Sequence, residues 1–468
     1  MRKRFTKSCA LTLTAVMTLT GCGQASSDPS SAETEVKQEE TAAEAPEEEA
    51  STGTEENYFD EPVTLSYLTW NYSDRTASTD AWIQGCKEKY NIDIEVQNVS
   101  SDQYGAAFKS KLAAEYMPDL VMVSKITPAY ECQFTQITAD TFIDISDLEN
   151  IGNFNSEVVE GAKVNGTLYY LPCTENTIGV IYNESVFEEN GLAVPTNIDE
   201  FYAVMDQLKD AGIAPLAGSF ADAWSAQIIP FIAFDNYVVR DKEDVGIQLF
   251  NSETQESTLR WSDLGEGAEK ALGLTNKWIN EGYFTDDPLS TDASVAAQLL
   301  ATGKAAMWIT GVWEHSVVES AGDGSTKFRF FPLPLNEAGE ETILPVTATE
   351  GICISSSSEN VEAAKLALNY YLSDEIQNMV VADVLGIPTN NNVVVDSYFF
   401  DDILSAIDSS QICMNGFYGG TSMKGNLIPT TASFDRPGEL VSLAGGYSTP
   451  EEFCEKMDKA IEEALTAE

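Results

Sequence analysis

The chain has 468 residues, with 75 acidic side chains against 26 basic ones and a formal net charge of −49. That balance excludes nucleic acid as a partner, because phosphate would be repelled, and argues against direct adsorption to anionic lipid. A single histidine, with no H-E-x-x-H, no G-x-S-x-G and no P-loop, leaves little for metal or nucleophilic catalysis and predicts no metal site and no cofactor.

Residues 1–21 read as a secretion signal. Arg2, Lys3, Arg4 and Lys7 form a positive region, and Cys9 to Thr20 an apolar one too short for a membrane span of about 20 residues. Leu19-Thr20-Gly21-Cys22 resembles the lipobox of bacterial lipoproteins. The small residues at 20 and 21 let a peptidase reach the bond before Cys22, whose thiol would carry diacylglycerol. Acyl chains, palmitate among them, would then hold the protein at a membrane. Losing the four signal bases takes the charge from −49 to −53. Residues 22–57 follow as a tether, and from Gly23 to Asn57 eleven acids stand against Lys37 alone. Such a stretch cannot bury enough apolar surface to fold. Cys86, Cys132, Cys173, Cys353, Cys413 and Cys454 are widely spaced without C-x-x-C, which predicts isolated buried thiols and no disulfide framework.

The remaining 410 or so residues exceed what one core usually holds, so two lobes are expected. Val63 to Trp70 alternates as a strand; Ala81 to Tyr90 suits a helix, Ile92 to Val99 a second strand, Tyr104 to Tyr116 a helix, and Met117 to Val123 a third strand. β-α-β-α-β with short connections implies an α/β fold built on a parallel, doubly wound sheet. Ligands on such sheets sit beyond the carboxyl ends of the strands. That rule selects Trp70, Asn71 and Tyr72 after the first strand, and Ser124 and Lys125 after the third.

Next comes VNGTLYYLPCTENTIGVIYN, running from Val164 to Asn183. Asn165-Gly166-Thr167 marks a reversal, and Leu168 to Tyr182 reads as extended chain. Its polar patch, Thr174 to Thr177, must face water, a crossing point or a ligand. Glu175 and Asn176 are therefore candidates. A short helix closed by Gly191 follows, then one from Ile198 that stops at Gly212. Asp222, Trp224 and Gln227 lie between a small-residue strand end and an apolar helix. Tyr237 to Trp261 reads as a surface excursion, and Glu266 to Gly282 as a helix. AAQLLATGKAAMWITGVWEH, Ala296 to His315, places a helix, a strand and a turn at Gly311-Val312-Trp313. Gly311 would let the backbone turn sharply there and aim Trp313 into a cleft.

Several runs resemble, in order, the carbohydrate-binding family of extracytoplasmic solute-binding proteins that includes maltose-binding protein. They are Gly166, Leu168, Tyr169 and Pro172 before Tyr182-Asn183; Pro195 with Glu200-Phe201; Gly303-Lys304-Ala305-Ala306-Met307 before Gly311-x-Trp313; Phe331-Pro332-Leu333-Pro334; and Glu350 to Ser355. The resemblance implies a periplasmic-binding-protein-like fold of type II, two doubly wound lobes joined by a hinge with the cleft between them. It implies residues 58–174 as the first part of lobe 1, 175–345 as the first part of lobe 2, 346–395 as a return to lobe 1, and 396–468 as C-terminal helices on lobe 2. The hinge is expected near Thr174 to Asn176 and near Pro345 to Gly351. The implied function is capture of a sugar by a lipid-anchored monomer on the outer face of a bacterial membrane, for delivery to the transmembrane subunits of an ABC permease.

The residues carry the chemistry that sugar binding needs. Pyranose C–H faces stack on aromatic planes, and hydroxyls need fixed charged or amide partners. Trp70 beside Asn71, Asp222 beside Trp224, and Trp313 beside Glu314 supply such pairs, with Glu350 as a further partner. Trp278 and Trp308 read as core by periodicity, while Trp82 and Trp261 have no clear place. His315 reads as a cleft or surface residue and not as a general base. Two alternatives stay open: a surface-anchored glycan-degrading enzyme, and a receptor for a non-sugar solute such as a polyamine or peptide. A Cys22→Ala chain is expected to lose incorporation of labelled fatty acid at the membrane. Wild-type chain that carries no label would rule the anchor out.

Overall fold

Alternation of apolar side chains sets the first strand. Leu65, Tyr67 and Leu68 are buried in β1 (Val63–Thr69). The computed structural model describes residues 58–123, 140–164, 166–240, 245, 248, 258–413 and 437–466. Cys22, the tether, Ser124, Lys125, Asn165 and the Gly-rich aromatic stretch 415–420 lie outside the described residues. A 3-10 turn, Tyr72–Arg75, leads from β1 into α1 (Thr76–Tyr90), which begins five residues before the predicted start. After it come β2 (Ile92–Asn98), α2 (Ser101–Ala113), β3 (Leu120–Val123) and α3 (Ser156–Ala162). β2 and β3 lie parallel on either side of β1.

The chain between Leu168 and Cys173 is buried but not strand; β4 (Thr174–Asn183) begins at the polar patch. The two helices after it are set by their caps. Asn183 accepts from the Val186 amide to start α4 (Glu184–Glu189), and Asn197 accepts from the Glu200 amide to start α5 (Ile198–Asp210). Glu200 in turn accepts from the Thr196 amide at 2.8 Å. Then follow β5 (Ala214–Ala217), α6 (Ile228–Phe234), α7 (Gly265–Asn280), α8 (Ala293–Ala301) and β6 (Ala305–Gly311). α9 (His315–Ala321), β7 (Phe328–Phe331) and β8 (Ile343–Ala348) complete this part. The prolines of the F-P-x-P run fall just after β7, where a missing amide costs no ladder bond.

β9 (Gly351–Ile354) returns to pair antiparallel with β3, and α10 (Val361–Tyr371) and α11 (Asp374–Val384) pack beside α1. β10 (Ile387–Pro388), α12 (Tyr398–Ser409), β11 (Gln411–Cys413), α13 (Pro437–Ala444) and α14 (Pro450–Thr466) end the described chain. Two sheets result. The first, in the order β2-β1-β3-β9, has one core with its helices. The second runs β11-β8-β4-β6-β5, with β7 and β10 also on β4, and carries a core on each face. Each sheet with its helices is a lobe. Trp82 is buried in the first lobe and Trp261 in the second; Trp278 and Trp308 are core as the periodicity predicts. The five described cysteines are free, and all but Cys413 are buried.

Among the described residues the chain crosses between lobes at three places: before β4, between β8 and β9, and between α11 and β10. The resemblance implies the third near residue 395, and a two-residue strand such as β10 offers no pattern from which to place it more closely. At the crossings β8 and β10 lie antiparallel on either side of the start of β4. Buried threonines tie them. Thr349 donates from its hydroxyl to the Thr174 carbonyl at 2.8 Å, and Thr389 to the Pro172 carbonyl at 2.7 Å. The backbones approach so closely that a Cβ on Gly351 would lie 2.4 Å from the Leu171 carbonyl oxygen. Gly351→Ala is therefore expected to cost about 1–3 kcal/mol by overpacking, read from urea unfolding. An unchanged midpoint would show that this crossing yields.

Candidate functional site

A cavity of about 450 Å³ opens between the two lobes. Its first wall is the carboxyl end of β1 and the turn after it, which supply Trp70, Asn71, Asp74 and Arg75. The second wall comes from the loop after β5 with Asp222, Trp224 and Gln227, and from the end of β6 with Trp313 and Glu314. Asn176 of β4 and Glu350 of the crossing lie at its base.

Trp70 is half-buried, its ring set edge-on against Tyr104 with centroids 4.8 Å apart. On the opposite wall Trp224 and Trp313 stand 6.1 Å apart with their planes inclined by 52°. Gly311 does not turn the backbone: its φ of −90° and ψ of 157° are ordinary extended values. It makes room instead. A Cβ there would lie 2.1 Å from the Trp313 ring, so the indole folds over its own strand end and can do so only above glycine.

Polar groups fill the gaps between the rings. Asn71 donates from Nδ2 to Glu350 Oε1 at 2.7 Å, and takes a hydrogen bond from Thr69 on its own Oδ1 at 2.8 Å. Arg75, 2 % exposed, forms an ion pair through Nη2 with the same Glu350 oxygen and donates through Nη1 to Tyr371 at 3.3 Å. Asp222 accepts on one oxygen from the Ala293 amide, 2.7 Å away at the start of α8. Burial pushes the Glu314 carboxyl up to about 8, with Asp74 and Asp222 adding to the rise and a hydrogen bond from Trp313 opposing it. Loss of water also raises Asp74, against the Ser73 hydroxyl and Arg75.

Of the candidates read from sequence, Trp70, Asn71, Asn176, Asp222, Trp224, Trp313, Glu314 and Glu350 meet at this one cavity. Two others do not line it. Tyr72 turns away and donates to Asp80 at 2.7 Å. Glu175 neighbours Asn176 on β4, and successive strand residues point to opposite faces; it is half-buried, its pKa raised by burial and by Glu157. His315 is no cleft or surface residue. It opens α9 buried, its ring 3.8 Å from that of Phe399, and burial takes it down to about 4. Asp74 and Arg75 were missed. They follow β1 directly, and the helix start at Thr76, had it been placed correctly, would have put them on the cleft rim with Trp70. Among the described residues no group of histidine, cysteine or carboxylate side chains is arranged to hold a metal.

A family model described as bacterial extracellular solute-binding protein matches residues 70–378. The multiple sugar-binding protein of Streptococcus mutans is 25% identical over 138 residues, 30% of this chain and 32% of that protein. An uncharacterised ABC transporter extracellular-binding protein of Pyrococcus horikoshii is 23% identical over 412 residues, 86% of this chain and 83% of that one. The solved structure of the binding protein RafE in complex with raffinose matches with a TM-score of 0.70 at 18% identity, over 86% of this chain and 100% of that chain.

The raised Glu314 carboxyl has a consequence for stability. Its folded value of about 8 exceeds its ordinary 4.5, so the folded protein prefers the protonated form. The ligand-free protein should lose stability as pH rises from about 4.5 to about 8 and level off above. Glu314→Gln is expected to flatten that fall in a plot of Tm against pH. An unchanged slope in the variant would mean the wild-type carboxyl is hydrated.

Proposed function

The chain belongs to the bacterial extracellular solute-binding protein family, and from that premise we propose that it captures a sugar or oligosaccharide between its lobes and delivers it to an ABC permease. The observation that carries the reading is the cavity itself, in which three tryptophans alternate with carboxylates and amides. Its volume falls within the roughly 300 to 1,000 Å³ of small-molecule sites. The sugar's C–H faces stack on Trp224 and Trp313 from one lobe and on Trp70 from the other. Its hydroxyls are met by Asp74, Asp222, Glu314 and Asn176. The lobes close by bending at the three crossings, where few residues need to change their dihedrals. Closure buries the sugar and forms the surface that the permease reads. The fold shared with RafE and the sugar-binding relative in Streptococcus mutans support this class of ligand. The protein binds without chemistry, as a monomer held outside the membrane by the lipid on Cys22. Among the described residues, no helix is long and apolar enough to cross a membrane.

Trp313 tests the proposal. A panel of neutral and amino oligosaccharides, raffinose included, is screened by thermal shift, since a ligand that binds the native state raises Tm. For a sugar found in that screen, Trp313→Ala should weaken binding by about 1–3 kcal/mol, or roughly five- to 150-fold. The ligand-free variant should keep its fold, because the ring is half-buried and rests on glycine. Intact affinity in a strongly destabilised variant would make Trp313 a core residue. Cleavage of any panel member above a denatured control would replace binding with catalysis.

A further inference from the structure

The charges around the cavity are not those of a neutral binding site. Four carboxylates line it, those of Asp74, Asp222, Glu314 and Glu350, and Arg75 is the sole basic residue among the described lining residues. Arg75 is already paired with Glu350. Asp74, Asp222 and Glu314 form no salt bridge among the described residues, although Arg75 lies near enough to Asp74 to oppose the rise of its carboxyl. They are also divided between the lobes: Asp74 stands on the first and Glu314 on the second, close enough for Asp74 to add to the rise of the Glu314 carboxyl. Bending at the crossings brings these two groups together, and out of water they can sit side by side only if a proton or another cation lies between them.

The uncharged groups point the same way. Asn176 is 8% exposed and lines the cavity, yet its buried Oδ1 has no hydrogen-bond partner among the described residues. The buried Oε1 of Gln227, also in the lining, has none either. Both are acceptors. An ammonium brings three donors and no acceptor, so it can serve these oxygens and a carboxylate at once, whereas a hydroxyl has one donor to give. The faces of Trp224 and Trp313 favour a cation as well.

On the sugar-binding reading above, we propose that the cleft selects a sugar bearing a protonated amine, seated between Asp74 of one lobe and Glu314 of the other, and that this cation draws the two walls together. The amine pairs with both carboxyl groups and supplies donors to the Asn176 and Gln227 oxygens. No bond is made or broken.

Matched disaccharides that differ only at carbon 2 test it. Cellobiose carries a hydroxyl there, the chitosan disaccharide an ammonium, and chitobiose an acetamide. The full chain is titrated with each at neutral pH by calorimetry, beside wider panels of neutral sugars including raffinose, of amino sugars, and of putrescine and spermidine. The expected result is that amino sugars bind at least about tenfold more tightly than their neutral counterparts. Asp74→Asn and Glu314→Gln should each shrink that gap, with Tm checked to show that the variants fold. Neutral sugars bound as tightly as amino sugars would overturn the inference and leave sugar capture standing. Putrescine or spermidine bound in the absence of any sugar would keep the cation seat and overturn sugar capture. No binding in any panel at about 1 mM overturns the inference.

Discussion

The cleft depends on one buried ion pair. Arg75 is almost wholly removed from water, and its guanidinium needs a counter-charge all the more because its buried Nε has no hydrogen-bond partner among the described residues. Glu350 supplies the charge and Tyr371 a further acceptor. Glu350 stands on the crossing between β8 and β9, whereas Arg75 stands at the foot of α1. The same carboxylate oxygen also holds Asn71, so the first wall of the site is fastened to the hinge, not merely placed near it. Removing Glu350 would leave Arg75 charged and unpaired, which costs far more than the pair itself contributes.

The three crossings explain why that fastening can coexist with movement. Each is short and inextensible, and their backbones touch at Gly351 while the hydroxyls of Thr349 and Thr389 add to the backbone bonds that their own amides make to Thr174 and Cys173. A hinge of this kind has soft dihedrals but a fixed position. In the proposed closure the lobes rotate about it, so Asn176 and Glu350, nearest the crossings, would move least, and Asp74 and Glu314, further out, would approach each other. Burial of the Glu314 carboxyl thus links the protonation of one wall to the approach of the other.

Much of the fold was legible because it is written in local signals. The starts of β1 and β2 alternate, β3 is a short wholly buried apolar run, Asn183 and Asn197 cap their helices, and Gly212 and Gly303 stop theirs with left-handed φ values of 78° and 69°. The site was legible where an aromatic and a polar residue sit together at a strand end, as at Trp70, Trp224 and Trp313. It was not legible where pairing decides the matter. An arginine in a loop reads as solvated until its distant partner Glu350 is known. Glu175 and Asn176 look alike in sequence, and only the strand's alternation separates them. Gly311 suggests a bend by composition alone, although its role is to accept an indole from two residues on. His315 reads as exposed because nothing nearby in sequence announces Phe399.

The two aromatic walls differ in how they are held, and that difference bears on closure. Trp224 and Trp313 rest against the core of the second lobe and against each other, so they form a platform that exists before any ligand arrives. Trp70 belongs to the first lobe, propped by Tyr104. A ligand that touched only the platform would bind open and closed forms alike and could not shift their balance, however tightly it bound. Closure therefore requires contacts made only when both walls are present. On the proposed reading Trp70 provides one such contact, and Asp74 with Glu314 provides another once a cation lies between them. Affinity can come from one lobe, but closure must come from groups divided between the two.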